Sequence, residues 1–195
     1  MRQWSDFPAW SLSLGTPLFR IHQRSFSPAW FNNDGTWRFD PPPSHRSRFG
    51  TCYLGLDPLA SYVEVFGRFR TIPHEHVQQR ALSTLSLPTN AAIADLTERT
   101  VLGDYGVTAA HSSGSDYQPA QELSATLHDA GFAGIRYRIR HDSAMQLEAI
   151  ALFGDPGETS DRFSPSWKTA DIPKSVIDDG RRIFHIMVVP SRALP

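Results

Sequence analysis

Four polar side chains lie in segments that otherwise have the composition of a protein core. Arg20 lies in LFRIH, Arg38 in GTWRFD, Tyr53 in GTCYLG and Glu64 in ASYVEVFG. Guanidinium groups bind phosphates through paired N–H donors, and a carboxylate stabilises positive charge that develops on a carbon atom. If these side chains converge, they suit an anionic substrate whose reaction builds positive charge at carbon.

Other familiar catalytic patterns are absent from the sequence. It contains no Walker loop, no GxGxxG, no GxSxG and no HExxH. His74 and His76 flank Glu75, but no third ligand follows at a spacing typical of a metal site, so we predict no metal. Cys52 is the single cysteine and lies in a run expected to be buried, which disfavours a role as a nucleophile.

The predicted elements around the four polar residues are two strands and a helix. Leu18–His22 predicts a short strand that turns Arg20 away from the apolar residues beside it. Thr51–Leu56 predicts a second strand. Asp57, followed by proline, begins a helix that ends before Gly67.

Glu64 lies off the apolar stripe of this helix. Periodicity alone therefore predicts a solvent-facing residue, although the flank of a helix can also line a cleft. The stripe itself, at positions i, i+3, i+4 and i+7, consists of Leu59, Tyr62, Val63 and Phe66.

The rest of the chain has more predicted strands than helices, with connections of varied length. This pattern favours a single domain of the α+β class over residues 1–195. Further strands are predicted at 82–87, 91–96, 134–140, 147–153 and 182–189, a helix at 119–130, and loops at 32–47, 103–117 and 155–171.

The composition narrows the class of partner. The formal net charge is -1 and the charged residues are interspersed, which does not match a non-specific nucleic-acid binder. Of the 19 basic residues only Lys168 and Lys174 are lysines, so almost every cation is a guanidinium. The sequence has no signal peptide and no apolar run of membrane-spanning length, so we expect a soluble, cytoplasmic protein.

Five separated blocks resemble the RES domain, a toxin family named for its Arg, Glu and Ser. In chain order they read LFRI, WRFDPP, GTCYLGLDPLASYVEVFG, GFAGIRYRIRHD and AIALFG, and they cover residues 18–154. The resemblance implies a fold similar to ADP-ribosyltransferases, with mixed β-sheets and flanking helices, and a site for NAD. Residues 155–195 then form a C-terminal extension with one last strand.

The functional residues of the family fall on the four positions described first. The arginine of LFRI is Arg20, the arginine of the next block is Arg38, the tyrosine is Tyr53 and the helix glutamate is Glu64. The resemblance implies that these four are catalytic and that Arg20, Arg38 and Tyr53 also bind NAD. Further residues expected to bind NAD are Arg48, Tyr117, Arg138, Ile139 and Arg140.

Ile139 departs from the family pattern, because a block that resembles GIRYRSRHD reads GIRYRIRHD here. Isoleucine cannot form a side-chain hydrogen bond, and a buried partner left unpaired costs about 1–3 kcal/mol, which slows turnover without necessarily abolishing it. Ser143 restores a hydroxyl only if the strand ends early. Arg138 and Arg140 remain as cationic substitutes.

The resemblance leaves three functions open. The first is an NAD-consuming toxin that releases nicotinamide and transfers ADP-ribose to inorganic phosphate or water, with NAD as substrate and no true cofactor. The second transfers ADP-ribose to a protein. In the third, Ile139 marks lost catalysis and the chain binds only NAD or a partner. The expected partner is an Xre-type antitoxin that blocks the site, and a homodimer stays open.

Overall fold

A computed structural model describes residues 3–98, 100 and 102–190 of the chain. Residues 1–2 and 191–195 of the predicted domain lie outside the described residues. The strands found in the described part are β1 Ala9–Leu12, β2 Leu18–Gln23, β3 Trp30–Phe31, β4 Gly50–Gly55, β5 Thr71–Pro73, β6 Arg80–Leu85, β7 Ala91–Asp95, β8 Gly134–Arg138, β9 Glu148–Gly154, β10 Gly157–Glu158, β11 Lys168–Ala170 and β12 Met187–Val189. The α-helices are α1 Pro58–Phe66, α2 His74–Gln78, α3 Ala109–Ser113, α4 Gln118–Asp129 and α5 Lys174–Phe184.

Eight strands form one mixed sheet in the order β1-β7-β8-β9-β4-β2-β6-β11. Within it β7 and β8 run parallel, and every other neighbouring pair is antiparallel. Two small sheets pair β3 with β10 and β5 with β12. A mixed sheet with helices packed against it confirms the predicted α+β class.

The apolar run at 147–153 is the central strand that its composition predicts. In β9, residues Ala149 to Phe153 are all buried, and the strand pairs with β8 on one side and β4 on the other. Strands with apolar side chains on both faces need cover on both faces. Accordingly, one apolar cluster lies on each side of this strand, with α1 and α4 contributing to one of them.

The helix α1 begins and ends at the predicted residues. Asp57 accepts a hydrogen bond from the backbone N–H of Ala60 at 2.8 Å, and Gly67 donates its N–H to the carbonyl of Val63 at 2.8 Å. The predicted stripe is buried apart from its first member. The hydroxyl of Ser61 accepts from the N–H of Ile21 at 2.8 Å, which fixes α1 against β2.

Gly55 allows α1 to pack closely on β4. A Cβ atom there would lie 2.5 Å from the backbone nitrogen of Ser61 and 2.8 Å from the carbonyl oxygen of Asp57. Backbone atoms cannot move aside as a side chain does. A side chain at residue 55 would therefore push the helix that carries Glu64 away from the sheet.

The structure corrects four predictions of local structure. The predicted strand at 182–189 is wrong in its first half, because α5 continues to Phe184 and β12 begins only at Met187. The helix α5 buries Val176 and Gly180, which are four residues apart and therefore lie on one face of a helix. The loops predicted at 103–117 and 155–171 contain α3 and the short strands β10 and β11 respectively.

The predicted strand at 134–140 ends earlier, at Arg138. The carboxylate of Asp142 accepts backbone hydrogen bonds from Ala144, Gln146 and Leu147 at 2.7–3.0 Å. A carboxylate that binds three backbone N–H groups fixes the chain in a turn. The turn takes the chain out of β8 and returns it to β9.

His74 and His76 lie in α2, and Cys52 is buried in β4. Within residues 3–98, 100 and 102–190 no group of three or more histidine, cysteine or carboxylate side chains is placed to hold a metal ion. In that same part of the chain no helix has the length and apolar character needed to cross a membrane.

Candidate active site

A cavity of about 1040 Å³ is lined by β2, β4 and α1, by the loops at 32–47 and 103–117, and by the segment that follows β8. Ligand pockets typically measure about 300–1,000 Å³, so this one is large enough for a ligand well above the size of a single ring. Six of the predicted site residues line it: Arg20, Arg38, Tyr53, Glu64, Tyr117 and Arg140.

Glu64 projects from the flank of α1 into this cavity, rather than into bulk solvent. Burial raises the pKa of its carboxyl group, and the nearby Tyr137 hydroxyl and the charges of Arg38 and Arg140 partly offset that rise. The cationic surroundings therefore favour the ionised form that burial disfavours. A carboxylate in this environment can stabilise a positive charge on a bound substrate.

Arg38 and Arg140 both lie close to the Tyr117 ring. Each guanidinium carbon is 5.6 Å from the ring centroid, and Arg140 also donates to the Tyr117 hydroxyl at 2.9 Å. Arg38 is only 8% exposed and donates to the carbonyl of Ser112, while its Nε has no partner among the described residues. Burial and the charge of Arg140 lower the pKa of Arg38. An anion bound here would meet two converging guanidiniums.

Tyr53 uses its hydroxyl to hold the loop at 32–47. It accepts from the N–H of Phe39 at 2.9 Å and donates to Asp40 Oδ1 at 3.1 Å. Asp40, which is fully buried, also accepts from the Asn32 side chain at 2.7 Å and the Trp37 N–H at 2.9 Å. Burial raises the pKa of Asp40 to about 6 and the pKa of Tyr53 well above its usual value. What Tyr53 offers the cavity is therefore its ring.

Arg20 fastens another part of the cavity wall. Its Nη1 donates to the carbonyls of Pro28 at 2.6 Å and Trp30 at 2.8 Å, and lies 2.9 Å from Cys52 Sγ. Arg20 lines the cavity, yet these contacts commit one of its nitrogens to the loop before β3. Arg20 thus holds part of the cavity wall in place and also contributes positive charge to the cavity.

Three residues expected to bind NAD lie outside the cavity lining. Arg48 pairs with Asp129 at 2.8 Å on the surface. Arg138 follows Tyr137 on β8, and successive residues of a strand face opposite sides, so it points away from the cavity. Ile139 is fully buried in the apolar cluster that includes Val63, and so does not present its side chain to a ligand.

The structure also bears on the alternative that Ser143 restores the hydroxyl missing at Ile139. The strand does end early, but Ser143 is exposed and is not part of the cavity wall. The hydroxyl that is missing at Ile139 is therefore not supplied from this position.

Sequence reasoning missed several polar residues of the cavity wall, among them Tyr137, His141 and Arg68. Tyr137 is 3% exposed, and although its hydroxyl is near enough to Glu64 to affect its pKa, it makes no hydrogen bond of standard geometry within the described residues. Tyr137 alternates with Arg136 and Arg138 in the sequence, which places its ring on the buried face of β8. A phenol on the buried face of a strand was the available signal.

Comparisons with known proteins place the chain in a family. A model of the RES domain matches residues 17–171, and no curated protein sequence matches the chain. The fold is similar to that in a crystal structure of the M. tuberculosis MbcT–MbcA toxin–antitoxin complex, with a TM-score of 0.61 and 16% sequence identity over 85% of this chain and 87% of that one. The family match spans well over half of the sequence, and the chain belongs to the RES domain family.

Proposed function

We propose that this chain is an NAD-consuming toxin that acts in the cytoplasm. It breaks the bond between nicotinamide and ribose and transfers ADP-ribose to inorganic phosphate or water. The observation that carries the proposal is the charge of the cavity, where Glu64 is the one carboxylate on a described wall that carries five arginines. A dinucleotide has the complementary chemistry, because it joins an anionic pyrophosphate to a carbon that becomes cationic in the reaction.

Each residue has a role that follows from its surroundings. Arg38 and Arg140 bind the pyrophosphate, because their guanidiniums converge beside Tyr117. The Tyr53 ring packs against nicotinamide or its ribose. Glu64 faces the ribose carbon and stabilises its positive charge as the nicotinamide nitrogen departs with the bonding electron pair.

The proposal is tested by adding NAD to the purified protein in phosphate and in phosphate-free buffer. Nuclear magnetic resonance then follows the consumption of NAD. Glu64→Gln keeps the shape of the side chain but removes its charge, and is expected to slow NAD loss by about 100-fold or more. Glu75→Gln, at an exposed glutamate of α2 that is outside the cavity wall, is the matched control. Equal rates for the wild type and Glu64→Gln would refute the assignment of Glu64.

Two alternatives give different results in the same assay. Transfer of ADP-ribose to a protein would leave label from NAD on a macromolecule instead of a small molecule. A chain that only binds NAD would give a calorimetric signal without turnover. We favour the first function over the third because Ile139, the basis for lost catalysis, is packed in the core and leaves the cavity wall intact.

We also propose an Xre-type antitoxin that covers the cavity. One protein of similar fold was solved in a toxin–antitoxin complex. The cavity wall of this chain also carries four exposed aromatic side chains, which is typical of an interaction surface: Phe26, Trp30, Trp37 and Phe69. Adding such an antitoxin should stop NAD loss. A stable complex that still consumes NAD would show that the partner binds elsewhere, and light scattering of the chain alone would reveal a homodimer.

A further inference from the structure

Arg68 differs from the other arginines of the cavity wall. It forms no hydrogen bond or ion pair with any described residue, and its guanidinium lies over the Phe69 ring, 4.7 Å from the centroid. Stacking on an aromatic ring orients a guanidinium but uses none of its five N–H donors. The other four each donate to the protein: Arg20 to Pro28 and Trp30, Arg38 to Ser112, Arg80 to His76, and Arg140 to Tyr117.

Arg68 lies on the same cavity wall as Glu64, which we place at the reacting carbon. It follows Glu64 by four residues in the chain, in the turn just after α1 ends at Phe66. Arg68 is exposed, whereas Arg38 is buried. An exposed guanidinium at the cavity mouth is accessible to a small anion that enters from solvent.

His141 packs against Gly67, the residue that precedes Arg68 in the chain. A Cβ atom at residue 67 would lie 2.6 Å from the Cβ of His141 and 2.5 Å from the carbonyl oxygen of Val63. His141 Nε2 accepts from Arg140 Nε at 3.4 Å, so its proton is on Nδ1, which can donate. Burial and the charges of Arg140, Arg38 and Arg68 lower the pKa of His141 and favour this neutral form.

We propose that Arg68 and His141 form the binding site for the inorganic phosphate that accepts ADP-ribose, an inference that rests on the proposed function. A guanidinium fork and an imidazole N–H together match the oxygens of a phosphate dianion. Bound there, phosphate is held near the ribose carbon that faces Glu64, separately from the pyrophosphate at Arg38 and Arg140. Proximity of this kind turns a bimolecular attack into a step within one complex.

The reaction balances without another reactant. A phosphate oxygen donates an electron pair to the ribose carbon, and the carbon–nitrogen bond breaks with its electron pair left on nicotinamide, which becomes neutral. The proton of the hydrogen phosphate stays on the transferred group. The products are nicotinamide and ADP-ribose 1-phosphate. When water attacks instead, the products are nicotinamide, ADP-ribose and a proton.

Steady-state kinetics with phosphate and NAD varied separately test the site. Arg68→Gln is expected to raise the KM for phosphate about tenfold, with a smaller change in the KM for NAD, and to shift the products from ADP-ribose 1-phosphate toward ADP-ribose. Arg70→Gln is the matched control, since Arg70 is an exposed arginine two residues further on that lies outside the cavity wall. It should leave both KM values unchanged.

A titration of inorganic phosphate followed by phosphorus NMR measures the same site without turnover. Binding to the wild type that weakens in Arg68→Gln and not in Arg70→Gln supports the site, even if the protein leaves NAD intact and the proposed function fails. The inference is overturned if Arg68→Gln raises the KM for NAD instead, which would assign Arg68 to the pyrophosphate. It is also overturned if NAD is consumed but the wild type binds no phosphate.

Discussion

At the scale of the residue, the proximity of the Tyr137 hydroxyl to Glu64 influences how the site responds to pH. The hydroxyl of Tyr137 lowers the pKa of Glu64 against the effect of burial, and burial and the carboxylate of Glu64 in turn raise the pKa of Tyr137. Glu64 must be ionised to stabilise a cation. A group that stabilises the carboxylate therefore extends activity to lower pH.

Tyr137→Phe removes this hydroxyl and keeps the ring that packs on Phe39 at 4.9 Å. The pKa of Glu64 should rise, so the acid limb of the kcat/KM profile for NAD should move to higher pH, with a larger loss of activity at pH 6 than at pH 8. Tyr62→Phe is the control, because it also deletes a buried hydroxyl without a partner, but outside the cavity wall. An unchanged acid limb in Tyr137→Phe would contradict the role of Tyr137.

The sequence predicted the flank of α1 on which Glu64 lies, but not what that flank faces. Its position off the stripe follows from local periodicity. Whether it meets solvent or a cavity depends on Arg38 and Tyr117, which come from loops distant in the chain. Arg68 could not be predicted for a related reason, because its unused donors become apparent only when the partners of the other arginines are known.

At the scale of the element, the early end of β8 decides the role of Ile139. Ile139 lies in the core, directly after β8 and just before the turn that Asp142 stabilises. The backbone N–H of Ile139 donates to the carbonyl of Leu147 at 2.9 Å. Its side chain is buried in the same apolar cluster as Val63 of α1 and is not part of the cavity wall. The residue therefore belongs to the core next to the helix that carries Glu64.

Ile139→Ser tests this placement. The change leaves a small void and buries a hydroxyl in an apolar cluster, so the free energy of unfolding should fall by about 3 kcal/mol, against about 1 kcal/mol for the control Ile139→Val. Chemical denaturation measures both values. We expect no gain in NAD consumption. A stable Ile139→Ser protein with raised activity would show instead that residue 139 reaches the substrate.

The elements were easier to predict than their lengths. The bounds of α1 followed from Asp57, proline and Gly67, which act locally. The segment at 182–189 was misread because its apolar residues form a continuous run, which does not distinguish a buried strand from the end of an amphipathic helix. Only packing against Tyr62, which a Cβ atom at Gly180 would contact, reveals the helix.

At the scale of the whole molecule, stability depends on pH through the loop at 32–47. Asp40 has a pKa of about 6 in the folded protein and an ordinary value of 3.8. Between these values the folded state keeps a proton that the unfolded state has released. The free energy of unfolding therefore falls as pH rises through this window, by about 3 kcal/mol in total from this group.

Asp40→Asn removes the titration, so its stability relative to the wild type should rise between pH 4.5 and pH 7.5, as measured by urea denaturation at each pH. Asp34→Asn in the same loop is the contrasting control. Hydrogen bonds from Thr36 and Asn32 lower the pKa of Asp34, so this variant should lose stability relative to the wild type as pH rises through the acid range. The same trend in both variants would contradict the assignment to Asp40.

Two buried polar atoms, the Tyr137 hydroxyl and Arg38 Nε, lack partners among the described residues. Groups that the site needs for its function therefore lower the stability of the fold. Polar atoms left without hydrogen bonds weaken a fold, and a ligand that pairs with them strengthens it. Binding of a ligand that pairs with these two atoms should therefore raise the free energy of unfolding. Mutations that raise the thermal stability of this protein should therefore include ones that remove the Tyr137 hydroxyl and lower its activity.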